Sequence, residues 1–209
     1  MKHTRIKICG ITRVADAEQV VAAGADAIGL VFYEASPRNV DIQQAKLIAR
    51  SVPAFVTVVG LFVDPSPEFV RRVCEEVPLE LLQFHGDEDN GFCTSFGRRF
   101  IKAVRVKPGV SLASIEAAYP DASGLLLDTY VSGTPGGTGQ AFDWNLIPQG
   151  LQTPLVLAGG LNAANVADAI SQVRPYAVDV SGGVEASKGI KDPSKILEFV
   201  REVRRGDSI

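Results

Sequence analysis

Short apolar runs rich in β-branched residues recur along the chain at a spacing of roughly 25 residues, about the length of one strand–helix unit. They are IKIC at 6–9, AIGLVF at 27–32, FVTVVGLFV at 55–63 and LELLQF at 79–84. FIKAVRV at 100–106, GLLLD at 124–128, PLVLA at 154–158 and YAVDVS at 176–181 complete the series. The stretches between them carry a helical period instead. In RVADAEQVVAAGA (13–25), Val14, Ala17, Val20 and Val21 fall on one stripe, and Gly24 ends it. DIQQAKLIARSV (41–52) opens with Asp41, whose carboxylate suits the free N–H groups of a first turn. SPEFVRRVCEEV (66–77) has Ser66 as cap, Pro67 at the first helical position and an apolar face of Phe69, Val70, Val73 and Val77. NAANVADAISQV (162–173) and DPSKILEFVREVRR (192–205) repeat the design. The fourth and sixth intervals are weaker, because DEDNGFCTSFGRR contains glycines and DWNLIPQG is short.

Eight strands alternating with helices predict a parallel sheet covered on both faces. Eight is also the number that closes into a barrel, so the expected class is α/β, a (β/α)8 TIM barrel. An open doubly wound sheet is the competitor. It usually carries G-x-G-x-x-G after its first strand, and CGITRVAD lacks that pattern. With no linker or charge run to divide it, the chain reads as a single domain over 1–209.

A barrel of this kind places its active site at the C-terminal ends of its strands. Cys9 ends strand 1, and Arg38 lies in the loop after strand 2. Asp64 ends strand 3, Gln83 and His85 strand 4, Arg105 strand 5 and Asp128 strand 6. AGG (158–160) and DVSGGVE (179–185) follow strands 7 and 8. Glycine turns there, with SGGVEAS as a short extra helix, suit phosphate, because backbone N–H groups can approach closely; two ligand-free tight turns are the alternative. Cys9 alone fits a small buried hydrophobe. Asp128 is harder to dismiss, since a carboxylate ending an apolar strand is costly unless solvated, hydrogen-bonded or functional. Strands 1 and 6 are three steps apart around the ring, so thiol and carboxyl can face one another as an acid/base pair. Arg38 is either a solvated loop residue or a fork for a substrate carboxylate. His85 is equally a structural hydrogen-bond donor or a site residue, and Asp64 reads as turn chemistry. The loop TYVSGTPGGTGQAFDW (129–144) has the composition of a lid or of a disordered surface loop.

Composition narrows the partners. A formal charge of −3 leaves no electrostatic footprint for nucleic acid, and no apolar run approaches the about 18 residues of a membrane span. Arg201, Arg204 and Arg205 read as the cation-rich last turn of a helix. Three cysteines and two distant histidines suggest neither a disulfide framework nor a metal site. A reducing, cytoplasmic location is expected, with no cofactor. No apolar surface stripe can be separated from core faces by pattern, which leaves a monomer or a weak homodimer.

The motifs KICGIT (7–12), SPR (36–38), VGLFV (59–63), QFHG (83–86), LLLD (125–128), GGTGQAFDW (136–144), LAGGLNAANV (157–166) and DVSGGVE (179–185) together resemble the phosphoribosylanthranilate isomerase family. They run in the right order from residue 5 to about 200. Two positions depart from the family pattern: Phe84 stands where leucine is usual, and Gly182 where a second serine is common. The resemblance implies an Amadori rearrangement of a small phosphosugar substrate in tryptophan biosynthesis, without cofactor. It implies Cys9 as general base and Asp128 as general acid. It further implies Arg38 on the anthranilate carboxylate, Gly159, Gly160, Ser181, Gly182 and Gly183 around the phosphate, and His85 and Asp179 as polar neighbours of the substrate. The related isomerase of histidine biosynthesis is similar but uses an aspartate after strand 1. A non-catalytic phosphosugar-binding barrel is the remaining alternative.

Overall fold

The computed structural model describes residues 3–107, 109–129, 144, 147, 148 and 150–208. Eight strands close into a barrel in chain order: β1 (Arg5–Cys9), β2 (Ala27–Phe32), β3 (Thr57–Phe62), β4 (Leu81–Phe84), β5 (Phe100–Val106), β6 (Gly124–Thr129), β7 (Leu155–Leu157) and β8 (Ala177–Val180). Every neighbouring pair is parallel, and β8 returns to β1 with Lys7 opposite Asp179. The expected barrel is thus the observed one.

The helices form where caps and apolar stripes coincide. They are α1 (Val14–Ala22), α2 (Ile42–Ser51), α3 (Pro67–Glu76), α4 (Asn90–Thr94), α5 (Leu112–Ala118), α6 (Val166–Val173) and α7 (Pro193–Gly206). Asp41 accepts from Gln44 N and Ser66 from Phe69 N, as their positions predict. α4 is only five residues long but is capped, by Asp89. The sequence reading named no helix between β5 and β6. Ser111 caps α5 there, and Leu112 is its buried anchor in an otherwise weakly apolar segment. α6 begins four residues later than expected. Asn162 and Asn165 spend their side chains on a turn, Asn162 Oδ1 accepting from Ala164 N and Asn165 Oδ1 from Asn162 N, both at 2.9 Å.

SGGVEAS does not extend a helix beyond a single 3-10 turn, Gly182–Val184. The chain then forms a small antiparallel hairpin of β9 (Glu185–Ser187) and β10 (Ile190–Lys191). Glu185 has extended backbone geometry, and its carboxylate is drawn to Arg38 and Lys191.

Alternation along each strand divides the core in two. Ile6, Ile8, Ile28, Leu30, Leu82 and Val178 face outward and share a cluster with helix residues such as Ala17, Val20, Ala45 and Val70. Ile101, Ala103, Leu126, Val156, Ala158 and Ala177 fill the barrel interior, with Cys9, Val31 and Leu61 above. On the outer face of β2, β3 and β4, Phe32, Phe62 and Phe84 stand in register. Their ring centroids are 5.2 and 6.1 Å apart, and Phe84 goes on to touch Phe92, Phe96 and Phe100. The leucine-to-phenylalanine departure therefore extends an aromatic row directly beneath His85.

The first and last segments meet. Both Asp207 carboxylate oxygens accept from Thr4 N, at 3.1 and 3.0 Å, and Arg204 donates to Thr4 O at 3.1 Å. Among the described residues no helix is long and apolar enough to cross a membrane.

Phe84→Ala should lower unfolding free energy in urea by about 3–5 kcal/mol, the usual cost of emptying a buried aromatic position. Phe84→Leu should cost distinctly less.

Candidate active site

The strand ends converge on one cavity of about 450 Å³, within the range of small-molecule sites. The ten positions that the family resemblance implies all line it: Cys9, Arg38, His85, Asp128 and Asp179, and the turns at Gly159–Gly160 and Ser181–Gly183. Its apolar wall is formed by Val31, Leu61 and Ala158. Most of loop 129–144, with the lid it suggested, lies outside the described residues.

Cys9 is the last residue of β1, buried and free of any disulfide. Burial pushes its thiol above the ordinary value, while Lys7 and Lys191 pull it down and Asp179 adds to the rise. Lys7 is not among the strand-end candidates of the sequence, although the period of IKIC puts it on the same inward face as Cys9. Its ammonium reaches Asp179 Oδ1 at 2.9 Å, and both side chains are buried. Asp179 is therefore engaged below the cavity as well as facing it.

Across the mouth, Asp128 is 5% exposed, and its Oδ2 lies 3.2 Å from His85 Nε2. Gln83 Nε2 sits 3.1 Å from the other ring nitrogen, so His85 is anchored by Gln83 and lies beside the carboxylate. Gln83 lines the cavity too. Arg105 does not; it reaches beneath, donating to His85 O at 3.2 Å. Asp64 is turn chemistry, as expected: its Oδ1 accepts from Asp87 N at 2.6 Å and ties the loops after β3 and β4.

Arg38 is more constrained than a solvated loop residue. Its fork meets Glu185 in two parallel bonds of 2.8 Å. Glu185 also accepts from Lys191 Nζ at 3.0 Å and Gly189 N at 3.2 Å. Burial works against this carboxylate, but Arg38 and Lys191 outweigh it and hold it below the usual range. Neither Glu185 nor Lys191 was proposed from sequence. Glu185 stood inside the quoted DVSGGVE, whereas Lys191 lies on a hairpin that no local pattern announced. An added Cβ at Gly182 would stand 3.4 Å from Arg38 Nη2, an ordinary van der Waals contact, so space alone does not explain glycine at this position.

The two glycine turns are fitted to each other. A Cβ on Gly183 would fall 2.0 Å from Leu161 O, a backbone atom that cannot move aside cheaply. Gly159 and Gly160 both take positive φ, 78° and 67°. Among the described residues no three His, Cys, Asp or Glu side chains group as a metal site would need.

Residues 6–202 match the family described as N-(5′-phosphoribosyl)anthranilate (PRA) isomerase. The chain belongs to this family. It is 61% identical over 207 residues to N-(5′-phosphoribosyl)anthranilate isomerase of Pseudomonas fluorescens strain Pf-5, covering 99% of each chain. Among solved structures, phosphoribosyl anthranilate isomerase from Thermus thermophilus superimposes with a TM-score of 0.87 at 33% identity, over 97% of this chain and 99% of that one. A further phosphoribosyl anthranilate isomerase, in complex with reduced 1-(o-carboxyphenylamino)-1-deoxyribulose 5-phosphate, matches with a TM-score of 0.80 at 38% identity, over 97% and 99%.

Because burial raises the Cys9 thiol, its alkylation by iodoacetamide should keep accelerating as pH rises past about 8.5, the ordinary thiol midpoint. Peptide mass spectrometry resolves Cys9 from Cys74 and Cys93; a plateau below pH 8 would contradict the burial argument.

Proposed function

We propose that this barrel is a phosphoribosylanthranilate isomerase that converts N-(5-phosphoribosyl)anthranilate to 1-(2-carboxyphenylamino)-1-deoxyribulose 5-phosphate, with Cys9 and Asp128 as its acid/base pair. The observation that carries the reading is the placement of Cys9 on β1 and Asp128 on β6 in one cavity, with glycine turns between them. Asp128 protonates the furanose oxygen, and the ring opens to a Schiff base. The iminium acidifies the neighbouring C2–H, and the Cys9 thiolate removes that proton. The enolamine then tautomerises to the ketone, so the sugar goes from aldose to ketose without net redox change. Arg38 holds the anthranilate carboxylate through the N–H groups that Glu185 leaves unused. Backbone N–H groups of Gly159, Gly160, Gly182 and Gly183, with the Ser181 hydroxyl, receive the phosphate. His85 steadies Asp128, and Asp179 lies below Cys9 near the sugar hydroxyls. We read the enzyme as a cytoplasmic single-domain barrel, monomeric or weakly dimeric, acting on a small-molecule phosphosugar.

Cys9→Ala and Asp128→Asn should each fold, as judged by circular dichroism, and lower kcat by about 10²–10⁴, the usual worth of a general acid or base. Each should still bind a reduced product analogue. Unchanged turnover in either would overturn that assignment. The gene should rescue a tryptophan auxotroph lacking this step. Rescue of a histidine auxotroph alone would overturn the substrate.

A further inference from the structure

The charges around Cys9, buried or half-buried, do not cancel. Lys7, Arg38 and Lys191 share two carboxylates, Asp179 and Glu185. With Cys9 as a thiol, this cluster carries one positive charge in excess; with Cys9 as a thiolate, it balances. Arg38 and Lys191 are both drawn to Glu185, on the hairpin side. Lys7 is the buried cation on Cys9's own strand, one pleat below it, and stands in register with Ala27 on β2 and with Asp179, its ion-pair partner, on β8. His85 and Asp128 close the opposite side of the cavity.

A buried ammonium is an expensive way to fill a barrel, since an apolar side chain of similar volume is often as stable or more so. Lys7 is 5% exposed, and its interactions lead to Asp179 and to Cys9, whose charge in turn favours the ammonium form. The neighbouring strand is cut away at the same level. Gly29 pairs with Cys9, and a Cβ there would stand 2.6 Å from the sulfur. The sulfur therefore occupies space that any other residue at 29 would take.

We propose that Lys7 is a positioning residue for the reaction: its ammonium, anchored by Asp179, supplies the countercharge that lets Cys9 form a thiolate inside the barrel. This deepens the reading of Cys9 as general base and rests on it. Asp179 then has two opposed effects, since it fixes Lys7 in place and at the same time repels the thiolate.

The test is the pH midpoint of Cys9 alkylation in the ligand-free protein, set beside the pH profile of kcat. In Lys7→Met the midpoint should rise by about one unit, so that the thiolate fraction and kcat at neutral pH fall about tenfold. In Asp179→Asn the midpoint should fall. The double variant Lys7→Met/Asp179→Asn removes both members of the buried pair and keeps the net charge of the cluster, which guards against loss of folding, and its midpoint should lie above that of the parent. General loosening of the barrel would shift both single variants the same way. Shifts of one sign, or no shift in folded variants, overturn the inference. The base assignment fails separately: if Cys9→Ala keeps its turnover while the midpoints still move in opposite directions, Lys7 tunes a thiol that the reaction does not use.

Discussion

Closure of eight parallel strands leaves each side chain one of two destinations, the interior of the barrel or the layer beneath the helices, and every other feature follows from that division. A strand with one buried face can afford polar residues on the other. Here both faces are buried, so a charged residue on a strand must find its partner inside the protein. Lys7 does so with Asp179, one strand away and in register. On the outer side Lys102 does so with Glu88 at 3.0 Å. That Glu88 also accepts from Asp64 N and Gly86 N, so a single carboxylate organises the loops from which His85 emerges.

Much of this arrangement was legible in the sequence, for a physical reason. The strand runs are apolar because both faces are buried, which made eight of them visible, and parallel order then fixed which end of each bears chemistry. That is why Cys9, Asp128 and the glycine turns could be placed on one cavity from position alone. The less legible parts depend on contacts between segments distant in sequence. Glu185 matters through Arg38, 147 residues away, and Lys191 through a hairpin whose first strand falls in SGGVEAS, a segment that reads as helical. Lys7 is an intermediate case, since IKIC already shows it alternating with Cys9, but a lysine in an apolar run invites the assumption that it points to solvent. α5 escaped notice because its anchoring rests largely on Leu112 and a serine cap.

The mouth of the barrel divides into regions of different character. On the β4 and β6 side, His85 and Asp128 are positioned by side chains, with Gln83 and Arg105 behind them. On the β7 and β8 side, glycine turns form part of the cavity wall, and the close fit of Gly183 to Leu161 O shapes it. The two sides thus offer different chemistry, main-chain turns on one and titratable side chains on the other.

The bond from Thr4 N to Asp207 has a topological meaning. It brings the start of β1 against the end of α7, while β1 itself lies beside β8. The ring of strands therefore has no natural first member, and the order in which the sequence visits them is one of several circular orders with the same neighbours. What distinguishes β1 is chemical: it is the strand whose inward face carries an ammonium and a sulfur in succession.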